Sequence, residues 1–265
     1  MSYFHFVFLA IVQGITEFLP ISSSGHLVIF QVLFGFEEPP IVFDTIVHFG
    51  TMFAVLIFFR KEIKKIIQKL FLEIKNKKKG EATHLVGLLF VGTIPIVIAG
   101  VLLEEKIAVL FNSLSLVGFS LLVTALILFL TKIIRKKKKE IKKTNFKDAV
   151  FVGLFQALAI LPGVSRSGST ISGGLFRGLK REDAFNFSFF LGVIAIFGAT
   201  IFHIPKIAGF SSFELTSGII GFFVSAFVGF LSIKILKSIV MKDKLYYFGF
   251  YCLFLGIVLL FISFV

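Results

Sequence analysis

The 265-residue chain has a single cysteine, Cys252, set in an apolar run. One thiol builds neither a disulfide framework nor a cysteine metal site, and a small buried hydrophobe is role enough for it. Acidic residues are scarce, with 15 Asp and Glu against 28 Lys and Arg and a net charge of +13. The N-terminus shows no basic leader followed by a small-residue cleavage site, so no cleaved signal peptide is expected. What fills the chain is apolar: 57% hydrophobic residues, including 38 Phe, and a mean hydropathy of +0.98. Soluble domains average roughly 45–50% apolar residues, and a soluble monomer cannot hide this excess. A disordered protein, a disulfide scaffold and an ordinary cytosolic enzyme are excluded, and lipid becomes the solvent for most of the chain.

The positive charge does not mark a nucleic-acid binder. Nine cations fall between Arg60 and Lys79 and nine more between Lys132 and Lys147, both groups flanked by apolar stretches. Basic loops beside membrane spans signal the cytoplasmic side and attract anionic lipid. No nucleic-acid partner is expected.

A helix needs about 20 apolar residues to cross about 30 Å of hydrocarbon. Six stretches meet that, at about 41–59, 84–103, 113–131, 185–204, 214–234 and 245–265. Four others are too short, on either side of Pro20–Gly25 and of Pro162–Gly168. Each short pair reads as a helix-loop-helix that enters the membrane and returns, a course open only where protein or a wet cavity satisfies the irregular backbone. The expected fold is therefore an all-α integral membrane protein, residues 1–265 in one domain, with six transmembrane helices plus two re-entrant hairpins.

With 60–83 and 132–147 in the cytoplasm, the loops at 104–112 (Lys106) and 205–213 (Lys206) fall outside and 235–244 inside. Both termini then lie outside, the first hairpin dips in from outside and the second from the cytoplasm. At an offset of 143 residues, Phe8, Gln13, Ser22, Ser24 and Gly25 meet the identical Phe151, Gln156, Ser165, Ser167 and Gly168. Leu19-Pro20 recurs as Leu161-Pro162, one position out of step. The chain reads as an inverted-topology repeat: 1–131 with its hairpin at 2–36, then 149–265 with its hairpin at 149–179, joined by a basic cytoplasmic linker at 132–148. Transporters are often built this way.

Glu17, His26 and Arg166 are ionisable groups inside apolar segments, where a charge costs several kcal/mol unless it finds a partner or water. Glu17 and Arg166 can lock the hairpins as a structural ion pair, and His26 can be a hydrogen-bonded filler. Three such groups converging on paired Ser-rich breaks favour a site instead. Gln13 and Glu17 share a helix face one turn apart, as do Ser23 and His26 across the start of the next helix. Helix N-termini near Gly25 and Gly168 are ready anion sites, and a guanidinium grips two phosphate oxygens at once. The repeat is asymmetric where chemistry needs it: Glu17 faces Ile160, and Ser23 faces Arg166. Carboxylate, hydroxyl and imidazole from one half and a cation from the other suit hydrolysis of a phosphoanhydride. A carboxylate beside a phosphate site needs a proton or a divalent cation, so a metal or an acid/base role follows for Glu17. Asp44 and His48, one turn apart near the end of a span, are either helpers or interfacial polar residues.

The segment Gln13 to His26 resembles the (Glu/Gln)-x-x-x-Glu and Pro-x-Ser-Ser-x-Gly-His motifs of the bacterial undecaprenyl-diphosphate phosphatases, the bacitracin-resistance family. Pro162-Gly-Val-Ser165-Arg166-Ser-Gly168-Ser-Thr170 resembles that family's second signature, Pro-Gly-x-Ser-Arg-Ser-Gly-x-Thr, and the likeness runs along the whole chain in length, span order and Phe43-Asp44. It implies release of inorganic phosphate from undecaprenyl diphosphate, giving the monophosphate carrier reused in peptidoglycan synthesis. It further implies a multi-pass protein of the plasma membrane that confers bacitracin resistance, with its site opening to the extracytoplasmic side. By position, Glu17 is the essential carboxylate, Ser23 or His26 the nucleophile or its base, and Arg166 the phosphate clamp. Ser22, Ser165, Thr170, Gly25 and Gly168 surround the phosphate. The reading preferred here makes Ser23 the nucleophile, activated by His26; the rival makes His26 itself the nucleophile. A divalent cation, Mg²⁺ or Ca²⁺, is expected at Glu17 and Gln13, with Gln13 standing where many members carry a second Glu. No organic cofactor is expected. The expected partners are the polyprenyl diphosphate substrate, the bilayer and, as an open option, a second copy of the chain in a homodimer. The alternative reading is a transporter or flippase of a polyprenyl-phosphate lipid.

Overall fold

The computed structural model describes residues 2–36, 40–111, 113–134, 138–203 and 212–264. Among them the chain is all-helical, with an isolated bridge between Lys139 and Leu179 in place of any strand. Two short helices, α1 (Tyr3–Thr16) and α2 (Ser23–Leu33), are followed by α3 (Ile41–Phe58), α4 (Arg60–Lys75), α5 (Glu81–Phe111) and α6 (Leu114–Leu130). A second pair of short helices, α7 (Phe146–Leu158) and α8 (Arg166–Phe176), precedes α9 (Arg181–His203), α10 (Ser212–Met241) and α11 (Tyr247–Phe264).

Among the described residues, four helices are long and apolar enough to cross a bilayer: Glu81–Leu103, Leu114–Ile133, Arg181–Ile201 and Phe213–Met241. A fifth span exists if α3 and α4, bent by 72° at their junction, count as one. The apolar stretch of α11, Tyr247–Ser263, is shorter than any of these four. The first basic segment is a helix, α4, where a loop was expected. The expected outer loop at 104–112 is largely helical too, since α5 continues to Phe111. Lys206 and the side chain of Lys106 lie outside the described residues.

The exterior is apolar, as a chain solvated by lipid requires. Phe90, Leu102, Phe254 and Phe261 are each about 70% exposed or more. Around the interior, Phe18, Phe59, Phe185 and Phe189 pack as one aromatic group, with Phe18 stacked on Phe189 at 5.4 Å. The short helices pack on distant partners: α1 lies along α10, and α7 lies along α5. α3 pairs with α10, and α6 with α11. The last pair crosses closely because Gly118 and Gly256 carry no side chains; a Cβ on either would press on the other's carbonyl at about 3 Å. Small residues at such crossings are what packing between membrane helices favours.

The segment before α7 is fixed by its own chemistry. Asn145 caps α7 and receives a reciprocal bond, Asn145 Oδ1 accepting from the Asp148 amide and Asp148 Oδ2 from the Asn145 amide. The buried Asp148 carboxylate also pairs with Lys139 and with Arg177 Nε at 2.6 Å. Capping alone is worth about 1 kcal/mol, and the paired cations make burial of the charge tolerable.

Candidate active site

Both breaks in the short helix pairs are built by serine caps. α1 ends at Thr16, and the chain turns through Pro20 to Ser22, the N-cap of α2. Ser22 Oγ accepts from the Gly25 amide at 3.3 Å and contacts Ser24 Oγ at 3.3 Å. In the second break Ser165 Oγ accepts from the Gly168 amide at 3.1 Å and contacts Ser167 Oγ at 3.3 Å. Ser22 and Ser165, identical across the repeat, therefore do identical capping work.

The two breaks touch. Ser22 Oγ also accepts from the Gly163 amide at 3.1 Å, and this second bond helps hold Ser22 at φ 70°, a left-handed conformation few non-glycine residues adopt. Gly163 itself sits at φ 101° with no room for a side chain against the Val117 carbonyl and Ser120. Gly25 lies against Gly163, and Gly168 against Pro20, at distances where a Cβ would be crowded at 3.0–3.2 Å. Thr124 of α6 fastens the second turn, donating to the Gly163 carbonyl at 2.9 Å and accepting from the Ser165 amide at 3.1 Å.

At this contact one carboxylate gathers the polar side chains. Arg166 Nη2 donates to Glu17 Oε1 at 2.5 Å across 149 positions of sequence. Ser23 Oγ donates to Glu17 Oε2 at 2.6 Å, and Gln13 Nε2 donates to the same oxygen at 3.1 Å. His48 Nε2 stands 3.6 Å from it. Glu17 and Gln13 are buried, while Ser23 keeps partial access to the exterior. A hydroxyl this close to a carboxylate has its proton acceptor already in place.

His26 does not share that network. Its Nδ1 faces the Ser22 carbonyl at 2.8 Å, and a carbonyl can only accept, so Nδ1 carries the proton. Nε2 then accepts from the Tyr251 hydroxyl at 2.7 Å, with the two rings stacked at 11°. The expected partnership of Ser23 with His26 is thus replaced by one with Glu17, because both imidazole nitrogens are committed elsewhere. Thr170 Oγ1 lies 2.5 Å from Ser188 Oγ and donates to the Arg166 carbonyl at 2.8 Å, so its hydroxyl braces α8. The hydroxyls of Ser22 and Ser165 are spent on the turns in the same way. Asp44 is held by Gln31 Nε2 at 2.9 and 3.0 Å, and its carbonyl accepts from His48 Nδ1 at 2.7 Å.

Sequence reasoning missed three contributors. Tyr251 was hidden in an apolar run, one of three tyrosines at 246, 247 and 251 with nothing to single it out. Gln31 and Gly192 gave none. Gly192 of α9 leaves the space the Arg166 guanidinium occupies: a Cβ there would lie 2.5 Å from Arg166 Cζ and nearer still to Nη1.

With this geometry in view, similarity to known proteins becomes informative. The family model for bacitracin resistance protein BacA matches residues 6–258. The chain belongs to this family. Among its relatives, a protein of Alkaliphilus metalliredigens named undecaprenyl-diphosphatase is 43% identical over 98% of this chain and 99% of its own length. Proteins of the same name from Halothermothrix orenii (42% identical, 99% of each chain) and Carboxydothermus hydrogenoformans (40% identical, 98% of this chain and 97% of its own) are similar throughout. The matched region includes both serine-capped breaks.

Proposed function

We propose that this BacA-family protein is an integral-membrane phosphatase that hydrolyses the phosphoanhydride of undecaprenyl diphosphate, yielding undecaprenyl phosphate and inorganic phosphate. One observation carries the chemistry: a single buried carboxylate, Glu17, holds the Ser23 hydroxyl and the Arg166 guanidinium at the same time. Ser23 Oγ attacks the terminal phosphorus as Glu17 Oε2 takes its proton. The bridging P–O bond breaks, undecaprenyl phosphate leaves carrying that proton from Glu17, and the phosphoryl group rests on Ser23. Water, activated by the same carboxylate, then cleaves the Ser23–phosphate bond and restores the hydroxyl. Arg166 neutralises charge on the transferring phosphoryl, the step where most catalysis of this reaction resides. The amides at the starts of α2 and α8 add to that field. His26, held by Ser22 and Tyr251, orders the wall beside Ser23.

The divalent cation expected at Glu17 and Gln13 fits these residues poorly. No group of three His, Cys, Asp or Glu able to hold a metal occurs among the described residues. Both Glu17 oxygens are engaged, one by a guanidinium, and Gln13 turns its amide N–H rather than its oxygen toward the carboxylate. In this reading any divalent ion travels with the substrate's diphosphate, and no step depends on a protein-held metal.

The membrane arrangement proposed is six spans and two re-entrant hairpins in an inverted repeat, with the basic segments cytoplasmic and the site open to the extracytoplasmic side of the cell membrane. The packing of α1 on α10 and of α7 on α5 supports it, since each short helix leans on the other half. A flippase that only binds phosphate has no use for a serine hydroxyl poised on a carboxylate, which favours hydrolysis. The test is phosphate release by the detergent-purified chain from undecaprenyl diphosphate, alongside Glu17→Ala and Ser23→Ala. Release by the wild type and none above background by folded variants supports the reading; undiminished release by Ser23→Ala refutes the serine's role.

A further inference from the structure

We propose that α4 is an in-plane membrane anchor whose basic side binds anionic phospholipid head groups on the leaflet that faces the two basic segments. α4 leaves α3 at 72°, so if α3 crosses the bilayer, α4 runs nearly along its surface. The helix has no buried residue, yet its orientation is fixed. Ile63 packs against the main core near its start. Near its end Glu73 accepts from the Ala82 amide at 3.1 Å and from the Thr83 amide and hydroxyl at 2.8 and 2.6 Å, so the carboxylate clamps α4 to the first turn of α5. Held this way, α4 turns Ile67, Phe71 and Ile74, one stripe at helical spacing, away from the protein at 60–67% exposure. Lys61, Lys64 and Lys75 lie on the side next to that stripe, and none has a carboxylate within ion-pair distance among the described residues.

Charge and shape select lipid over other occupants. The segment 60–79 carries nine cations against two carboxylates, Glu62 and Glu73. A helix with an exposed apolar stripe bordered by lysines is the pattern of an interfacial helix that prefers anionic lipid. The second basic segment reaches the same face, because Glu140, Ile141 and Lys142 line a cavity of about 360 Å³ together with Ile66 and Lys69 of α4. Two of the nearby acids are answered by lysines, Glu140 by Lys180 at 2.6 Å and Glu81 by Lys69 at 3.3 Å, and Asp183 accepts from the Ile141 amide at 3.0 Å. The free positive charge is left to the lipid.

The test uses the full chain in vesicles of phosphatidylcholine, with and without phosphatidylglycerol. Phe71→Cys carries a fluorophore; the native Cys252 is buried and does not compete for the label. Quenching by a spin-labelled lipid but not by aqueous iodide is expected. Energy transfer from the label to head-group-labelled phosphatidylglycerol should exceed transfer to the phosphatidylcholine analogue. In Lys61/Lys64/Lys75→Gln that preference should fall by about fivefold or more, the effect of even one cation near a charged surface. Free access of iodide to the label would put α4 in water and overturn the proposal. Protection from both quenchers would mean that a protein surface or a second copy covers the stripe. An unchanged lipid preference in the triple variant would remove the basic side from the account.

Discussion

Gly192→Ala puts the geometry of the site under direct strain without touching any reacting group. The added methyl would sit 2.5 Å from Arg166 Cζ, whereas carbon atoms rest at about 3.5 Å or more. The guanidinium must therefore retreat by at least about 1 Å, and Nη1, which lies nearer still to the new methyl, by more. Because it is the free end of a long side chain, the backbone need not move, and the fold should survive. The bond from Nη2 to Glu17, at 2.5 Å, is lost or lengthened, and the phosphate clamp leaves its place. A misplacement of about 1 Å in a positioned group costs on the order of 100-fold in rate. The assay is kcat/KM for phosphate release in detergent, with thermal unfolding as the check on folding. Gly198→Ala, on the same helix with nothing within 4 Å of its would-be Cβ, is the control and should stay close to wild type. A folded Gly192→Ala with near-normal kcat/KM would refute the view that Arg166 must occupy this spot.

Arg166→Lys should lower kcat/KM by roughly 10²–10³-fold, since a point charge does not replace a planar fork at a phosphate; steady-state kinetics checks it. Glu17→Gln keeps the side chain's size but removes both the proton acceptor and the partner of a mostly buried cation. It should cost roughly 10²–10⁴-fold in kcat and about 3–5 kcal/mol of stability, read by phosphate release and by denaturation. Tyr251→Phe should reduce activity less than Ser23→Ala and lower stability by about 1 kcal/mol, the worth of one hydrogen bond. On the basic side, Lys180 and Lys142 hold the Glu140 carboxyl at about 2, below its ordinary 4.5. A depressed carboxylate stabilises the fold above the unfolded value and loses that contribution as pH falls from about 4.5 toward 2. Glu140→Gln should therefore be less stable than wild type at neutral pH, with the gap closing in acid, as measured by thermal unfolding.

Most of the residues matched across the repeat build the two breaks, and the residues proposed to react are unmatched. Ser22, Ser24 and Gly25 match Ser165, Ser167 and Gly168 because both breaks need the same serine cap and the same close approach. Glu17 and Ser23 have no match in Ile160 and Arg166, and these unmatched residues meet at the carboxylate. Spacing along a helix also put Gln13 beside Glu17, as found. It failed for Ser23 and His26, because a shared face does not say which neighbour each side chain prefers; the Ser22 carbonyl and Tyr251, 225 positions away, claim the imidazole. Gly192 was illegible for the same reason, since its importance lies in another chain segment's side chain. Span counting from apolar runs found the four long helices and ended the first full span at Phe59, but it did not show that the basic residues after the bend continue as a helix. The amphipathic character of α4 was masked by reading its lysines only as loop charge.

The central claim is that the two breaks enclose one phosphate between Ser23 and Arg166. A structure of the full chain with a non-hydrolysable prenyl diphosphonate tests it most directly. The account predicts the terminal phosphonate between the starts of α2 and α8, within hydrogen-bond reach of the Arg166 guanidinium and in line with Ser23 Oγ. A diphosphonate bound elsewhere, with the bond from Arg166 to Glu17 intact and Ser23 untouched, would contradict it.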